Sequence, residues 1–465
     1  MTHFTLQTKY QKLLADTLTP VSLFLKLRDE FENPILLESS DYHGHENSFS
    51  FICFEPIAKF IVENQQVTIH TPDGNIEKNI STDILQSLDT FAKSFKTDIL
   101  PFNFPNNGLF GYTTFDSVRY FEDIKTQDFS SEERQIPDMF YSVYRFVIAI
   151  NHFKNELYIF EHLYNNTPSK LEEIITLIAR HSIPMYSFSM SGVENSNLKD
   201  EDFLALANKG IHHCKIGDVF QIVFSRQFSQ HFQGDELNVY RALRSINPSP
   251  YLFYFDYGSF KIFGSSPEAQ LVIKKNKAEI HPIAGTFRRT GNDEEDANLA
   301  KKLFADEKES AEHVMLVDLA RNDLSRNGHH VKVETFKEIQ YYSHLIHLVS
   351  KVTAEIDVEK MPLQLFGDTF PAGTLSGSPK YKALSLINQY ENQNRGFYGG
   401  ALGWLGFEGE INHAIMIRSF LSKNNCLFYQ AGAGIVSKSI PQNELEEVNN
   451  KLKALRKALE EAEKI

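Results

Sequence analysis

The chain has 465 residues, of which 42% are hydrophobic and 23% charged, and a formal net charge of −13. That balance excludes a disordered or collagen-like chain and requires either two domains or one large composite fold. An acidic surplus disfavours duplex binding, but it leaves an anionic substrate open because a bound cation reverses the sign locally.

Three cysteines, Cys53, Cys214 and Cys426, lie far apart with no C-x-x-C spacing. This argues against a disulfide framework or zinc ribbon and fits a reducing, cytoplasmic setting. The opening MTHFTLQTKYQKLL lacks the long apolar run of a secretory signal. No stretch reaches the ~18 apolar residues of a membrane span.

In chain order, helical periodicity is expected at about 5–29, 83–95 and 168–181. Gln66–His70 alternates and runs into Thr71-Pro-Asp-Gly-Asn, a hairpin turn. Residues 108–122 read as a strand leading into a helix start, and Tyr144–Ile150 with Glu156–Glu161 as a second hairpin. The Ser-, Asn- and Asp-rich stretch 187–203 is the expected boundary between an N-terminal domain, 1–190, and a C-terminal domain, 198–465. Asp200 opens a helix. Val219–Phe224 and Tyr251–Phe255 read as buried strands, and Phe260–Phe263 and Leu271–Ile273 flank a turn. One long helix is expected over 292–320, three strand-like runs at 397–407, 411–421 and 426–431, and a final helix over 442–465. Runs of strands without βαβ alternation give an α+β fold, a large composite sandwich of antiparallel sheets with surrounding helices.

Two acidic pairs stand out, Glu309-x-x-Glu312 and Glu444-x-x-Glu447. Residues three apart share a helix face, so each pair presents two carboxylates together. Four gathered carboxylates need a cation or a proton, and oxygen-only ligation with few protein ligands suits Mg2+. A solvated charged face is the plainer alternative. PAGTLSGSPK (371–380) departs from the Walker spacing, so a nucleotide P-loop is not supported. In QAGAGIV (430–436) the glycines permit close backbone approach to a carboxylate, or merely tight packing. Arg418, within HAIMIRSF, needs a carboxylate partner. His347, in SHLIHLVSKV, reads alone as a satisfied core histidine. Glu268, in GSSPEAQL, is open to two roles, a carboxyl of raised pKa or a helix N-cap.

The order of GDVFQIVFS, NPSPYLFYF, GSSPE, PIAGTFRR, DEKESAEHVMLVDLARNDL, YYSHLIHLVSKV, FPAGTLSGSPK, RGFYGGALGWLGF, HAIMIRSF, QAGAGIV and NELEEVNNK resembles the chorismate-utilising enzymes, specifically the large subunits of anthranilate synthases. The likeness covers nearly the whole chain and is densest from Gly217 to Lys451. It implies an N-terminal regulatory-type half and a C-terminal chorismate-binding half. It also implies Mg2+ held by Glu309, Glu312, Glu444 and Glu447, with Glu312 and Glu447 closest to the ion. Glu268 matches the family's general acid for the departing C4 hydroxyl. Tyr398 and Arg418 match the residues on the enolpyruvyl carboxylate, Gly432 and Gly434 the backbone donors, and Lys451 a cation near the ring carboxylate. Thr374 and His347 match pocket residues beside the ring, and Ala284, Gly285 and Thr286 line it.

Relatives that add water carry a lysine where this chain has Gln221, and aminodeoxychorismate synthases carry one where it has Ala284. The resemblance therefore implies direct attack by ammonia, giving anthranilate and pyruvate. LLESSD (36–41) and NPSPY (247–251) resemble the family's tryptophan-binding segments. Glu38, Ser39, Ser40, Asn247, Pro248, Ser249, Pro250 and Tyr251 would then line a feedback site, although Ser40-Asp41 departs from the commoner ending. None of the three cysteines lies in a glycine-flanked nucleophile turn. The ammonia source is therefore expected to be a separate glutamine amidotransferase subunit.

Overall fold

The computed structural model describes residues 3–39, 48–124, 131–341, 345–357 and 361–465. Two long antiparallel strands, Phe49–Glu63 and Met139–Asn151, form its spine. Their alternation explains the layering. Ile148 and Ile150 point into a core shared with helices, whereas Val147 and Ala149 point into a core between two sheets.

Each spine strand changes neighbours along its length. Ile52 and Cys53 pair with the strand Ile35–Glu38, and Lys59–Glu63 with Gln66–His70. Opposite them, Phe146–Asn151 pairs with Glu156–Tyr164, and Met139–Val143 with Leu109–Thr113. One sheet therefore continues through Ile35–Glu38, Tyr251–Asp256, Phe260–Ser266, Ser419–Lys423, Cys426–Val436 and Gln221–Gly234. The other continues through Leu109–Thr113, Ala401–Leu405, Ile411–Ile415, Ala269–Lys274, Lys277–Ile280 and Leu345–Glu355. Aromatic side chains such as Tyr112, Tyr144, Phe253 and Phe428 fill the space between the sheets. Helices cover the two outer faces, among them Pro441–Ala462 on one and Ile84–Lys93 on the other.

The expected α+β sandwich is thus present, with four local corrections. Residues 5–14, the start of the stretch expected to be helical, lie in the strand Phe4–Leu14, and only Pro20–Leu27 is helix. Alternate residues Phe4 and Leu6 reach the core while the rest of the strand lies at an edge. The boundary stretch 187–203 holds the strand Phe188–Ser196, paired with Gln221–Gly234, and the start of the helix Asp200–Lys215. The two halves are in fact joined by sheet pairing at Ile35–Glu38 and at Leu109–Thr113. The helix expected over 292–320 is two helices, Asp293–Ala305 and Glu307–Ser325. Asp306 separates them in an extended conformation, and its carboxylate accepts from the Glu309 N–H. Finally, the run 411–421 breaks into two strands in different sheets, because Arg418 adopts the left-handed region at φ 48. Among the described residues no helix is long and apolar enough to cross a membrane.

Candidate functional site

Glu268 lies between two strands, Phe260–Ser266 and Ala269–Lys274, so the helix N-cap role is excluded. Its side chain is buried, and Thr374 Oγ1 donates to Oε1 at 3.1 Å. Burial pushes its carboxyl up to about 7, against the opposing pull of the Thr374 hydrogen bond, Arg418 and Lys451. Near neutral pH such a group is divided between donor and acceptor forms, as a general acid requires.

Arg418 is the electrostatic hub. Its guanidinium acts on Glu268, Tyr398 and His347 together. Burial lowers its pKa while Glu268 and Tyr398 raise it. Tyr398 is buried, and burial lifts its phenol to about 12, so it remains a hydrogen-bond donor. Its Oη lies 3.2 Å from the point a Gly432 side chain would occupy, so only glycine leaves that approach open. Lys451 donates to the Gly432 carbonyl at 2.8 Å and pairs with Glu447 at 2.7 Å.

His347 is buried, and its Nδ1 lies 3.1 Å from the Gly285 carbonyl. A carbonyl carries no proton, so Nδ1–H is the donor and Nε2 holds the lone pair. Burial lowers this imidazole to about 4; the Gly285 hydrogen bond opposes the shift and Arg418 reinforces it. The ring is neutral at physiological pH. Thr286 stands opposite His347 in the strand pairing, and Ala284 opposite Leu348.

The acidic pairs occupy two helices. Gln221 Nε2 donates to Glu312 Oε1 at 3.3 Å, and Gly434 leaves the space in front of both open. A side chain at Gly434 would come within 2.4 Å of Gln221 Nε2. Glu309 stands before Gly285, whose side chain would lie 3.2 Å from Oε2. Glu444 is buried in the first turn of the helix Pro441–Ala462, and Glu447 is partly exposed beside Lys451. Among the described residues, no three acidic, histidine or cysteine side chains are grouped closely enough to hold an ion by themselves. The four carboxylates therefore do not form a preformed cage. The donor set nevertheless fits Mg2+, which keeps waters and recruits substrate oxygens, and two glycines leave room before Glu309 and Glu312.

The segments expected to bind tryptophan are neighbours. Glu38 stands opposite Leu252 in an antiparallel pair. Its buried carboxylate accepts from Tyr240 at 2.6 Å and from Arg244 through two contacts of 2.9 Å. The Ser39 N–H donates to the Phe49 carbonyl at 3.2 Å; Ser40 lies outside the described residues. Asn247 Nδ2 contacts Ser249 and Ser265 at 3.4 Å, and Tyr251 stands opposite Ser266. Pro248 and Pro250 are half-buried between them.

Sequence reading missed two features here. The Gln221–Glu312 contact joins residues 91 apart and leaves no local trace. The ion pair Glu391–Arg395, by contrast, carries one signal, a four-residue charge spacing that ends on the first residue of RGFYGG. A shallow recess of about 30 Å3 is lined by this pair together with Asp116, Asn388, Gln393 and Asn394, and not by Glu268.

The chorismate binding enzyme family matches residues 32–457. An anthranilate synthase component 1 from Aquifex aeolicus (strain VF5) is 36% identical, covering 98% of this chain and 94% of the relative. One from Acetivibrio thermocellus is 35% identical, covering 98% and 95%. The crystal structure of anthranilate synthase component I from Streptococcus pneumoniae TIGR4 matches with a TM-score of 0.78 at 29% identity, over 96% of this chain and 99% of that one.

Proposed function

The chain belongs to the chorismate-binding enzyme family, and from that premise we propose that it converts chorismate and ammonia into anthranilate, pyruvate and water. The observation that carries the reading is Glu268, a buried carboxyl titrating near 7 and held by Thr374 in front of Arg418.

Chorismate brings two carboxylates. Arg418 with Tyr398 suits the enolpyruvyl carboxylate, and Lys451 with the Gly432 and Gly434 backbone suits the ring carboxylate. Mg2+, which Glu312 and Glu447 would hold most closely and Glu309 and Glu444 through waters, would supply charge neutralisation at that second carboxylate. Protonated Glu268 gives its proton to the C4 hydroxyl, which leaves as water while the nitrogen lone pair bonds to C2. The new ammonium returns one proton to Glu268. His347, with its lone pair on Nε2, takes the C2 proton as the ether bond breaks, and the departing enolpyruvate takes that proton back at its methylene carbon to become pyruvate. Gln221 is a neutral amide and cannot activate water as a base, and Ala284 offers no amine for a covalent adduct. Both residues favour direct use of ammonia.

The ammonia donor is proposed to be a glutamine amidotransferase subunit. Burial raises all three cysteine thiols, Cys214 and Cys426 to about 11, which makes each a poor nucleophile. Tryptophan is proposed as an effector at Glu38, Ser39, Ser40, Asn247, Pro248, Ser249, Pro250 and Tyr251. Ser265 Oγ bonds the Asn247 carbonyl, and the Glu268 N–H lies 3.4 Å from Ser266 Oγ, so this segment adjoins the catalytic carboxyl.

The test mixes the purified chain with chorismate, Mg2+ and an ammonium salt at alkaline pH and follows anthranilate fluorescence. Turnover is expected, with loss on chelation or on adding tryptophan and none with glutamine alone. A 4-amino product, or no product, would overturn the assignment.

A further inference from the structure

Arg395 is the largest fully buried side chain of the described residues, at 1% exposure, and no step above uses it. Its guanidinium is gripped on three sides. Nε and Nη2 donate to Glu391 at 2.9 and 2.7 Å, Nη2 also donates to the Val223 carbonyl at 2.7 Å, and Nη1 to the Leu375 carbonyl at 2.6 Å. The Phe115 ring lies 4.5 Å from its carbon. Glu391 in turn accepts from the Ser225 N–H and hydroxyl, both at 2.8 Å.

The targets of these bonds share one property. Leu375 follows Thr374, which holds Glu268. Val223 stands opposite Gly434, and Ser225 opposite Gly432. The Arg395 carbonyl accepts from the Tyr398 N–H at 3.3 Å. We propose that Glu391 and Arg395 are positioning residues that lock Thr374, Tyr398, Gly432 and Gly434 into one rigid frame around the substrate. The inference rests on the chorismate reading for its kinetic consequence but not for its mechanical one.

A guanidinium is planar and offers donors in a fixed fork, so it sets the angle between a helix turn and a strand; an ammonium does not. A fully desolvated ion pair is also poorly suited to serve stability alone, since well-packed apolar groups do as well or better. Placing it behind the four residues that face the substrate gives a reason for its presence.

Arg395→Lys and Glu391→Gln test the frame, with Arg145→Lys as control. Arg145 forms another buried pair, with Glu161 at 2.8 Å, far from these residues in the pairing scheme. Amide hydrogen exchange should quicken in 372–378 and 396–400 for the two frame variants, and not for the control. In the anthranilate assay, kcat should fall about 100-fold, as for a reacting group misplaced by an ångström, with KM within about threefold. Thr374→Ala added to Arg395→Lys should lose less than the product of the two single losses, because part of the Arg395 effect passes through Thr374. Unchanged exchange in 372–378 would overturn the frame whatever the kinetics. So would a control as slow as Arg395→Lys, or losses that multiply in the double variant. An inert native chain would sink the chorismate reading instead, and exchange alone would then decide the frame.

Discussion

Replacing Glu268 with glutamine should make the protein slower and more stable at once. The carboxyl titrates near 7 in the fold against 4.5 when exposed. A carboxyl whose folded pKa is raised holds its proton in the fold after the unfolded chain has lost it. Stability from this group is therefore complete below pH 4.5 and declines as pH rises through about 7. The difference corresponds to about 3 kcal/mol at neutral pH. A glutamine still accepts from Thr374 and has no proton to lose, but it gives up the attraction of Arg418, so a gain of about 1–3 kcal/mol is expected. For a chain of this length that is roughly 1–3 °C in melting temperature. The gain should be near zero at pH 4.5 and grow to its full value by pH 7.5. Removal of a general acid should lower kcat about 10²–10⁴-fold. Scanning calorimetry at one heating rate from pH 4.5 to 8 measures the first effect, and anthranilate fluorescence at constant neutral ammonia the second. A stability difference that does not change across this range would refute the assignment of the raised pKa to Glu268. So would a variant that remains active.

Two further substitutions probe other parts of the site and core. Gly434→Ala places a methyl 2.4 Å from Gln221 Nε2. The flexible amide should swing off Glu312, costing under about 1 kcal/mol of stability but about 10–100-fold in kcat/KM through the lost bond to a carboxylate; Mg2+ titrations should show a higher requirement, and an unchanged Mg2+ dependence would dissociate Gln221 from the proposed metal carboxylates. His413→Phe tests acid sensitivity. His413 is buried between Tyr141 and Phe366, has no hydrogen-bond partner for either nitrogen among the described residues, and is lowered by burial to about 3. With its folded pKa depressed, the native state loses stability as pH falls below 6.5 toward that value, by roughly 4–5 kcal/mol. Circular dichroism should place the acid midpoint of the phenylalanine variant at lower pH, with no difference above pH 7, and coincident acid transitions would refute the claim.

The elements that sequence reading located well were those whose signal is local. The Gln66–His70 turn, the strands around Tyr144–Ile150 and the helix from Asp200 all carry their own periodicity or turn chemistry. The misread elements were decided by distant partners. Phe4–Leu14 has apolar spacing compatible with a helix, and it is a strand because Glu156–Tyr164 offers it an edge. The break at Asp306 rests on a single capping side chain inside an otherwise continuous pattern. In the site, the resemblance names candidate residues, but not which of them touch. Nothing in the sequence states that Gln221 meets Glu312, or that His347 turns its Nδ1 to Gly285.

The break at Arg418 ties the fold to the chemistry. The chain leaves one sheet after Ile415 and joins the other at Ser419, and Arg418 takes the left-handed turn between them. A bulky residue in that conformation is strained and persists only where its surroundings over-determine it. Here they do. The Ile415 N–H donates to the Glu268 carbonyl at 3.0 Å, the Gly399 N–H to the Met416 carbonyl at 2.9 Å, and the Ser265 N–H to the Arg418 carbonyl at 3.1 Å. Three short backbone bonds thus register the acid, the segment carrying Tyr398 and the guanidinium against one another at the seam of the sandwich. A glycine would turn this corner with less strain. The strain is borne by a residue whose charge the proposed substrate site uses, and the corner places that charge in front of Glu268 rather than out in solvent.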